Sequence, residues 1–390
     1  MDANNKKQIA AVVIPTYNEE GNIGALLDEI RRTVFSVTDG WVIKIVVVDG
    51  DSSDGTPDIV QQKMSADEQG KDIHLIREPK RSGIGAAYCS GFRYAIDELG
   101  SDAVIEFDGD FQHSPDHILP LLKGLDDGYD YVVASRSVMK GSEPPERSRF
   151  RKALTVVGGF AARVILFFPG KNFWLVTDPT TGLKATRVRG FADKLDLDPD
   201  RLYSRRFGYK VEWLYETIRF GAHYKEVPLV FENRRAGESK FSRSVIFDIL
   251  RVCILVRMNA APTRRFIKYA VVGLSGYIIN AVFLSLLYKT THIEYLSWIL
   301  SAEAAIICNY FFNNVWTFVD RRMNGLGGWL FGLAKFNLSS VGAIAIEGIF
   351  GPLLTMIVGG GYRQAVLVFV VVFMVVPYNW FMYNRFIWKK

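Results

Sequence analysis

The strongest constraint on how this chain folds lies after Lys268, where four apolar stretches follow one another at about 269–288, 295–318, 336–358 and 364–383. Each is close to the ~20 residues that a helix needs to cross a hydrocarbon layer. The first and last carry no charge, whereas the second and third hold one acid each, Glu303 and Glu347. A lone carboxylate at membrane depth is costly, so both acids are expected to face a partner inside the bundle or to line a polar path.

The flanks of these stretches predict an orientation, because short segments rich in Lys and Arg stay cytoplasmic. Arg264, Arg265, Lys268, Arg321, Arg322, Lys335, Arg385, Lys389 and Lys390 fall on one side, against Lys289 and Arg363 on the other. A multi-pass cell-membrane protein with both termini cytoplasmic is expected. Trp298, Trp316, Trp329, Trp380 and Trp388 stand near helix ends, where an interfacial aromatic belt would place them. The first apolar run, Ile9 to Ile14, is too short for a cleavable signal peptide.

The four stretches also read as two similar hairpins. Lys268, Tyr269 and 275–283 match Lys335, Phe336 and 342–350 in character at a spacing of 67, and the hairpins close in NYFFNNVWTF and YNWFMYNRFIW.

Composition locates the charge. The net charge is +6, yet residues 264–390 hold 11 of the 47 Lys and Arg and only 4 of the 41 Asp and Glu, leaving the first 263 residues near neutrality. The basic excess therefore travels with the most apolar part, which argues for a membrane and against a nucleic-acid groove. With 49% apolar and 23% charged residues the chain is not disordered. Three scattered cysteines, Cys89, Cys253 and Cys308, exclude a disulfide framework.

Residues 9–230 alternate β-branched runs with helix-like segments, which predicts an α/β domain on a largely parallel sheet. Strands are expected at Ala10 to Ile14, Ile43 to Val48, Ile73 to Ile76, Ala103 to Phe107 and Tyr131 to Ala134. Ligands of such sheets bind beyond the carboxyl ends of the strands, and PTYNEE, DGDSSDGT, DGDFQH and SRS stand there. In the third of these, Asp108 and Asp110 are two carboxylates one residue apart at a strand end. Both could reach a hard divalent cation, with Gly109 allowing close approach of a diphosphate. His113 lacks a second His or Cys at ligand spacing, so a structural role is expected. The run Ser82-Gly83-Ile84-Gly85-Ala86-Ala87 follows the third strand and lacks a third glycine in register, which makes it a loop before a helix and not a dinucleotide fingerprint.

The sequence resembles the family 2 glycosyltransferases of the GT-A fold, and among them the polyprenol-phosphate mannosyltransferases. The motifs that carry the resemblance are VVIPTYNEE, VVVDGDSSDGT, FDGDFQH, VVASRS, TDPTTGLKATR and EVPLVFENRRAGESK, and the C-terminal helices resemble a GtrA-type membrane domain. The resemblance implies a GT-A catalytic domain over 1–240, Rossmann-like with a mostly parallel sheet. An interfacial helix or linker follows over 241–263, then an all-α four-helix transmembrane domain over 264–390.

It further implies that Pro15, Tyr17, Glu19 and Val48, with Asp49 and Asp51 of the following acidic loop, hold the base and ribose of a nucleotide sugar, GDP-mannose. Asp108, Asp110 and Gln112 match the ligands of a divalent cation, Mg²⁺ or Mn²⁺, with Gly109 between the acids. Arg136, Arg234 and Lys240 match basic residues near the phosphates or the loop that closes over them, and Arg151 a basic position near the phosphate of a dolichyl or polyprenyl acceptor. Asp110, Arg136 and Arg151 are the candidates for catalytic work. Asp110 would orient the attack without transferring a proton, because a phosphate monoester with a second pKa of ~6 is already mostly dianionic.

Gly50 stands where the family commonly has a second acid, which leaves UDP-glucose open as an alternative donor. Thr181-Gly182-Leu183 replaces the family's Ser-Gly-Phe, and the QxxRW signature of processive synthases is absent around 205–216, so one sugar per cycle is expected. Segments 152–168 and 241–257 mix apolar faces with Arg and are expected to lie in the membrane interface, with burial in the soluble core as the competing reading. A third reading, of another class, is a lipid-translocating protein whose soluble domain senses nucleotide sugar.

Overall fold

A computed structural model describes residues 7–34, 40–66, 72–138, 149–230, 243–292, 294–359 and 362–388. The chain divides into two units, Met1–Arg257 and Met258–Lys390.

The first unit is built on seven strands: β1 (Gln8–Thr16), β2 (Trp41–Asp49), β3 (Ile73–Arg77), β4 (Ala103–Glu106), β5 (Tyr131–Ser135), β6 (Lys184–Arg187) and β7 (Tyr224–Pro228). They lie in the order β3-β2-β1-β4-β6-β5-β7. The five expected strands are all present, each within a few residues of its predicted bounds. The sheet is parallel except at β6, which runs antiparallel to β4 and β5. Neither β6 nor β7 announces itself in the sequence, since KATR and YKEVP lack an apolar run.

Alternation along β1 explains the layering. Ala10, Val12 and Ile14 join one buried cluster, while Ala11 and Val13 join the cluster on the opposite face. The first face is covered by α1 (Glu20–Val34), α2 (Thr56–Ser65) and α4 (Ile118–Asp126), and the second by α3 (Ile84–Asp97) and α7 (Tyr209–Arg219). The chain leaves β1 outward through β2 to β3, then returns to β4 on the other side of β1. That reversal opens a crevice at the carboxyl ends of β1 and β4.

Segments 152–168 and 241–257 form α5 (Arg149–Phe167) and α8 (Arg243–Asn259). Each has two faces: Ala162, Leu166, Val252, Cys253 and Val256 are buried, while Val156, 71% exposed, Val157, Phe160 and Phe247 face outward. The short α6 (Asn172–Leu175) adds Trp174, 78% exposed, and Leu175.

The second unit is helical: α9 (Ala261–Thr291), α10 (Glu294–Phe312), α11 (Gly325–Val358), α12 (Arg363–Val370) and α13 (Val376–Met382). The four expected stretches thus all form helix, but among the described residues no helix is long and apolar enough to cross a membrane. Glu303 accepts a hydrogen bond from Asn337 Nδ2 at 3.3 Å, a partner across the bundle. Glu347 lies on α11, and its side chain is outside the described ones.

The repeat seen in the sequence has a structural counterpart. Both hairpins end in a five-residue π-helix, Asn313–Thr317 and Tyr383–Ile387, closed by Phe318 and Trp388, whose rings stack at 4.5 Å and 6°. Tyr269 meets Trp380 at 5.4 Å as its counterpart Phe336 meets Tyr310 at 5.7 Å. Phe318 meets Trp380 at 6.0 Å, and Trp388 meets Tyr310 at 5.7 Å. Equivalent residues thus make reciprocal cross-hairpin contacts, the pattern of a local two-fold relation.

Candidate active site

Two loops beside the crevice are laced together by side chains reaching the opposite backbone. Asn18 N–H donates to Ser52 Oγ and Ser53 N–H to Asn18 Oδ1, at 2.9 and 3.0 Å, and Glu19 N–H donates to Thr56 Oγ1 at 2.9 Å. The loop after β1 carries Tyr17 and the loop after β2 carries Asp51, so their geometry is set before any ligand arrives. Pro15, Tyr17 and Glu19 are half-buried at this edge and Val48 is buried beneath it.

Asp49 differs from its expected role. It is fully buried and accepts from Thr16 Oγ1 at 3.1 Å, Ser52 N–H at 3.0 Å and Ser52 Oγ at 2.6 Å. Its carboxylate fastens the loop, whereas Asp51, at φ 61°, is exposed. Arg81, which sequence reasoning passed over, sets its guanidinium 4.0 Å from the Tyr17 ring centroid.

Asp108 follows β4 at the centre of the crevice. Its Oδ2 lies 3.4 Å from Lys210 Nζ and 3.6 Å from His113 Nε2, and Oδ1 accepts from Tyr88 OH at 3.3 Å. Burial alone would raise its pKa, but the Lys210 charge and the His113 contact outweigh burial and hold it well below the usual carboxylate range. His113 is buried, edge-on to Phe107, with its Nε2 turned to Asp108. Asp110, 7% exposed, accepts from the backbone N–H of Gln112 at 3.1 Å, and Phe111 between them turns through a positive φ of 59°. That turn presents 108, 110 and 112 on one short loop. A Cβ on Gly109 would lie 3.3 Å from the carbonyl oxygen of Pro15, so the space this glycine saves lies against β1, and not toward a diphosphate as the sequence suggested.

Beneath Asp108 lies a buried charged layer. Glu106 accepts from Tyr209 OH at 2.9 Å and stands 3.7 Å from Lys184 Nζ, which donates to the Lys210 carbonyl at 3.1 Å. Burial pushes the Glu106 carboxyl up and the Lys184 ammonium down, and each offsets the other.

Arg136, expected to face phosphate, is gripped by Asp178. Nε and Nη2 donate to the two carboxylate oxygens at 2.7 Å each, and Nη2 reaches Thr180 Oγ1 at 3.1 Å. Asp178 is positioned in turn by Glu226, which accepts from the N–H groups of Thr177 and Asp178 at 2.7 and 3.3 Å, from Thr177 Oγ1, and from Tyr224 OH at 2.6 Å. Burial would raise the Asp178 pKa, but the Arg136 fork brings it below its ordinary value. Arg234 and Lys240 lie outside the described residues, and Arg151 lies on α5 with its side chain outside them.

The glycine run after β3 serves packing. The N–H of Gly85 donates to the Arg205 carbonyl at 2.9 Å, and Gly83, at φ 102°, has that carbonyl where a side chain would begin. Lys210, Asp178, Glu226 and Arg81 are the site residues that sequence reading missed. Asp178 and Glu226 stand within the motifs TDPTTGLKATR and EVPLVFENRRAGESK, and Lys210 left a signal of another kind, since a lysine in the first turn of a helix opposes the macrodipole.

No three-residue cluster of His, Cys, Asp or Glu able to cage a metal occurs among the described residues. The oxygen donors of Asp108, Asp110 and Gln112 fit a hard cation whose remaining positions are filled by substrate phosphates.

Comparison with known proteins gives two family matches. Residues 11–181 match the model described as glycosyl transferase family 2, and residues 268–388 the model described as GtrA/DPMS, transmembrane domain. The chain is 30% identical over 339 residues to a dolichol-phosphate mannosyltransferase of Pyrococcus furiosus, covering 86% of this chain and 88% of that one. It is 33% identical over 235 residues to an undecaprenyl-phosphate mannosyltransferase of Micrococcus luteus, covering 60% of this chain and 88% of the relative. A polyprenol monophosphomannose synthase of Mycolicibacterium smegmatis is 30% identical over 243 residues, or 62% of this chain and 84% of that one.

Proposed function

From the premise that the chain belongs to the family 2 glycosyltransferases, among the polyprenyl-phosphate mannosyltransferases, we propose that it moves mannose from GDP-mannose to the phosphate of a dolichyl or polyprenyl lipid, with inversion at the anomeric carbon. The observation that carries this reading is the placement of Asp108 and Asp110 on one turn at the switch point of the sheet, beside two loops laced together by hydrogen bonds.

Tyr17, with Arg81 over its ring, and the exposed Asp51 receive the base, and Pro15, Glu19 and Val48 shape the ribose side. Asp108, Asp110 and Gln112 hold a divalent cation, which when bound neutralises the diphosphate and stabilises it as a leaving group. Asp110 orients the attacking phosphate oxygen. No side chain needs to take a proton, because the acceptor phosphate is mostly dianionic at neutral pH. Arg136, held in place through Asp178, fixes the wall of the site, while Arg151, Arg234 and Lys240 offset acceptor and donor charge.

The acceptor's tail keeps the reaction at a membrane surface. The apolar side chains of α5, α6 and α8, with Trp174 and Phe247 foremost, form a platform suited to the interface, and Arg257 Nη2 ties α8 to the Phe168 carbonyl at 3.2 Å. In the helical unit Leu274, Tyr277, Ile278, Leu338, Val341 and Met356 point outward, an arrangement that water would penalise and lipid would not. The four apolar stretches of the sequence, and the match of 268–388 to a transmembrane-domain model, support a four-helix transmembrane reading of this unit. Cytoplasmic termini and a cytoplasmic catalytic unit follow from the distribution of Lys and Arg.

The purified chain, given polyprenyl phosphate and either GDP-mannose or UDP-glucose, is expected to form the mannosyl lipid at least tenfold faster. Equal or faster transfer from UDP-glucose would favour the second reading, which Gly50 keeps open.

A further inference from the structure

Lys210 is only 6% exposed and sits in the first turn of α7, where the helix dipole opposes a cation. It is held there by Asp108, whose Oδ2 lies 3.4 Å from its Nζ. Among the described residues Glu106 is the other anion that acts on it, and that carboxylate is already shared. Glu106 is engaged by Lys184 and Tyr209, Lys184 is itself a cation, the Phe207 ring lies 5.6 Å away, and a Cβ on Gly182 would overlap Nζ and stand 2.7 Å from Asp108 Oδ2. Gly182 thus leaves room for this one ion pair.

Resting on the cation site proposed above, we propose that Lys210 is a positioning residue that occupies the cation's place on Asp108 until a metal–nucleotide complex arrives, so that metal and donor bind as a unit. A divalent ion arriving alone would take Asp108 and leave two buried ammoniums, Lys184 and Lys210, to share the one carboxylate of Glu106, which is unfavourable. A metal arriving with a diphosphate brings negative charge that Lys210 can turn to. The consequence is a thermodynamic coupling between the two ligands, and linkage makes it reciprocal: the metal tightens nucleotide as much as nucleotide tightens metal.

The test is Mn²⁺ binding to the full-length chain, followed by the paramagnetic resonance of the free ion, with and without GDP. In the native protein GDP is expected to tighten Mn²⁺ strongly. In Lys210→Met, Mn²⁺ alone should bind about tenfold tighter or more, and the gain from adding GDP should shrink by a similar factor, while Lys210→Arg should behave as the native chain does. If Lys210→Met does not fold, Lys210→Gln carries the same comparison. A crystal structure with Mn²⁺ and GDP should then show Nζ withdrawn from Asp108. Unchanged binding of Mn²⁺ alone in the uncharged variants, or Lys210 still on Asp108 with the ion bound, overturns the proposal. No Mn²⁺ binding to the native chain even with GDP overturns the cation site itself, and the two failures are therefore distinct.

Discussion

The sheet unit and the helical unit both bury polar side chains, but of different kinds. At the carboxyl edge of the sheet the buried groups are ions set against ions: Glu106 with Lys184, Asp108 with Lys210, Arg136 with Asp178. Among the described residues of the helical unit the fully buried ones are neutral: Asn313, Asn314, Thr317 and Ser339. The Asn314 amide exchanges hydrogen bonds with the backbone of Met323 and accepts from Trp388 Nε1 at 2.9 Å, and Ser339 Oγ donates to the Phe336 carbonyl at 2.7 Å. Aromatic rings fill the space between. A store of paired charge suits a site that must receive a charged substrate, because each pair can be exchanged for a new one at modest cost. Neutral amides and rings suit surroundings of low dielectric, where an ion that lost its partner would be ruinous.

If the units divide the work in this way, their variants should fail differently. Asp108→Ala or Asp110→Ala should lower transfer by roughly a thousandfold or more, measured as turnover at saturating donor, without altering the unfolding of the helical unit. Asp178→Ala leaves Arg136 half-buried without its carboxylate and should destabilise the sheet unit by about 3–5 kcal/mol in chemical denaturation. In the helical unit, Trp388→Ala removes a ring stacked on Phe318 and should cost about 3 kcal/mol in detergent unfolding, with GDP titration unchanged. A loss of GDP binding in that variant would break the division of labour.

Glu212 sharpens the comparison by pH. Burial raises its pKa from an ordinary 4.5 to about 7, against the hydrogen bond it accepts from the Tyr203 N–H. Its folded pKa is raised, so the stability it contributes is complete below about pH 4.5 and is lost as pH rises through about 7. Glu212→Gln should remove that dependence and leave the sheet unit more stable than the native one at pH 8, by at most about 3 kcal/mol. The smallest effect is expected at the apolar platform. Trp174→Ser combined with Phe247→Ser should slow transfer to a bilayer-held acceptor by about tenfold and leave transfer to a short water-soluble acceptor unchanged.

How far the sequence could be read depended on what each residue answers to. The first five strands were legible because two-sided burial demands continuous β-branched runs, as in VVIP and IVVVD. β6 and β7 were not, because their short strands owe their place to pairing with β4 and β5, a long-range choice that local composition does not record. In the site, Asp108 and Asp110 stood out because two carboxylates one residue apart at a strand end are a local pattern, and Gln112 was added by the family resemblance. Lys210 and Asp178 did not, since each meets its partner across 102 or 42 residues of chain. Asp49 misled for the complementary reason: an acid in an acidic loop resembles a ligand-binding group until its burial and its bonds to Thr16 and Ser52 are seen.

The central claim is that a divalent cation on Asp108 and Asp110 joins a soluble activated sugar to a lipid-held phosphate, and cation-dependent transfer tests it most directly. With the intact chain in polyprenyl-phosphate vesicles, labelled mannose should reach the lipid with Mn²⁺ or Mg²⁺ present, stop on chelation and resume when the ion is returned. Transfer that continues undiminished in excess chelator, or that survives in Asp108→Ala, would contradict the account.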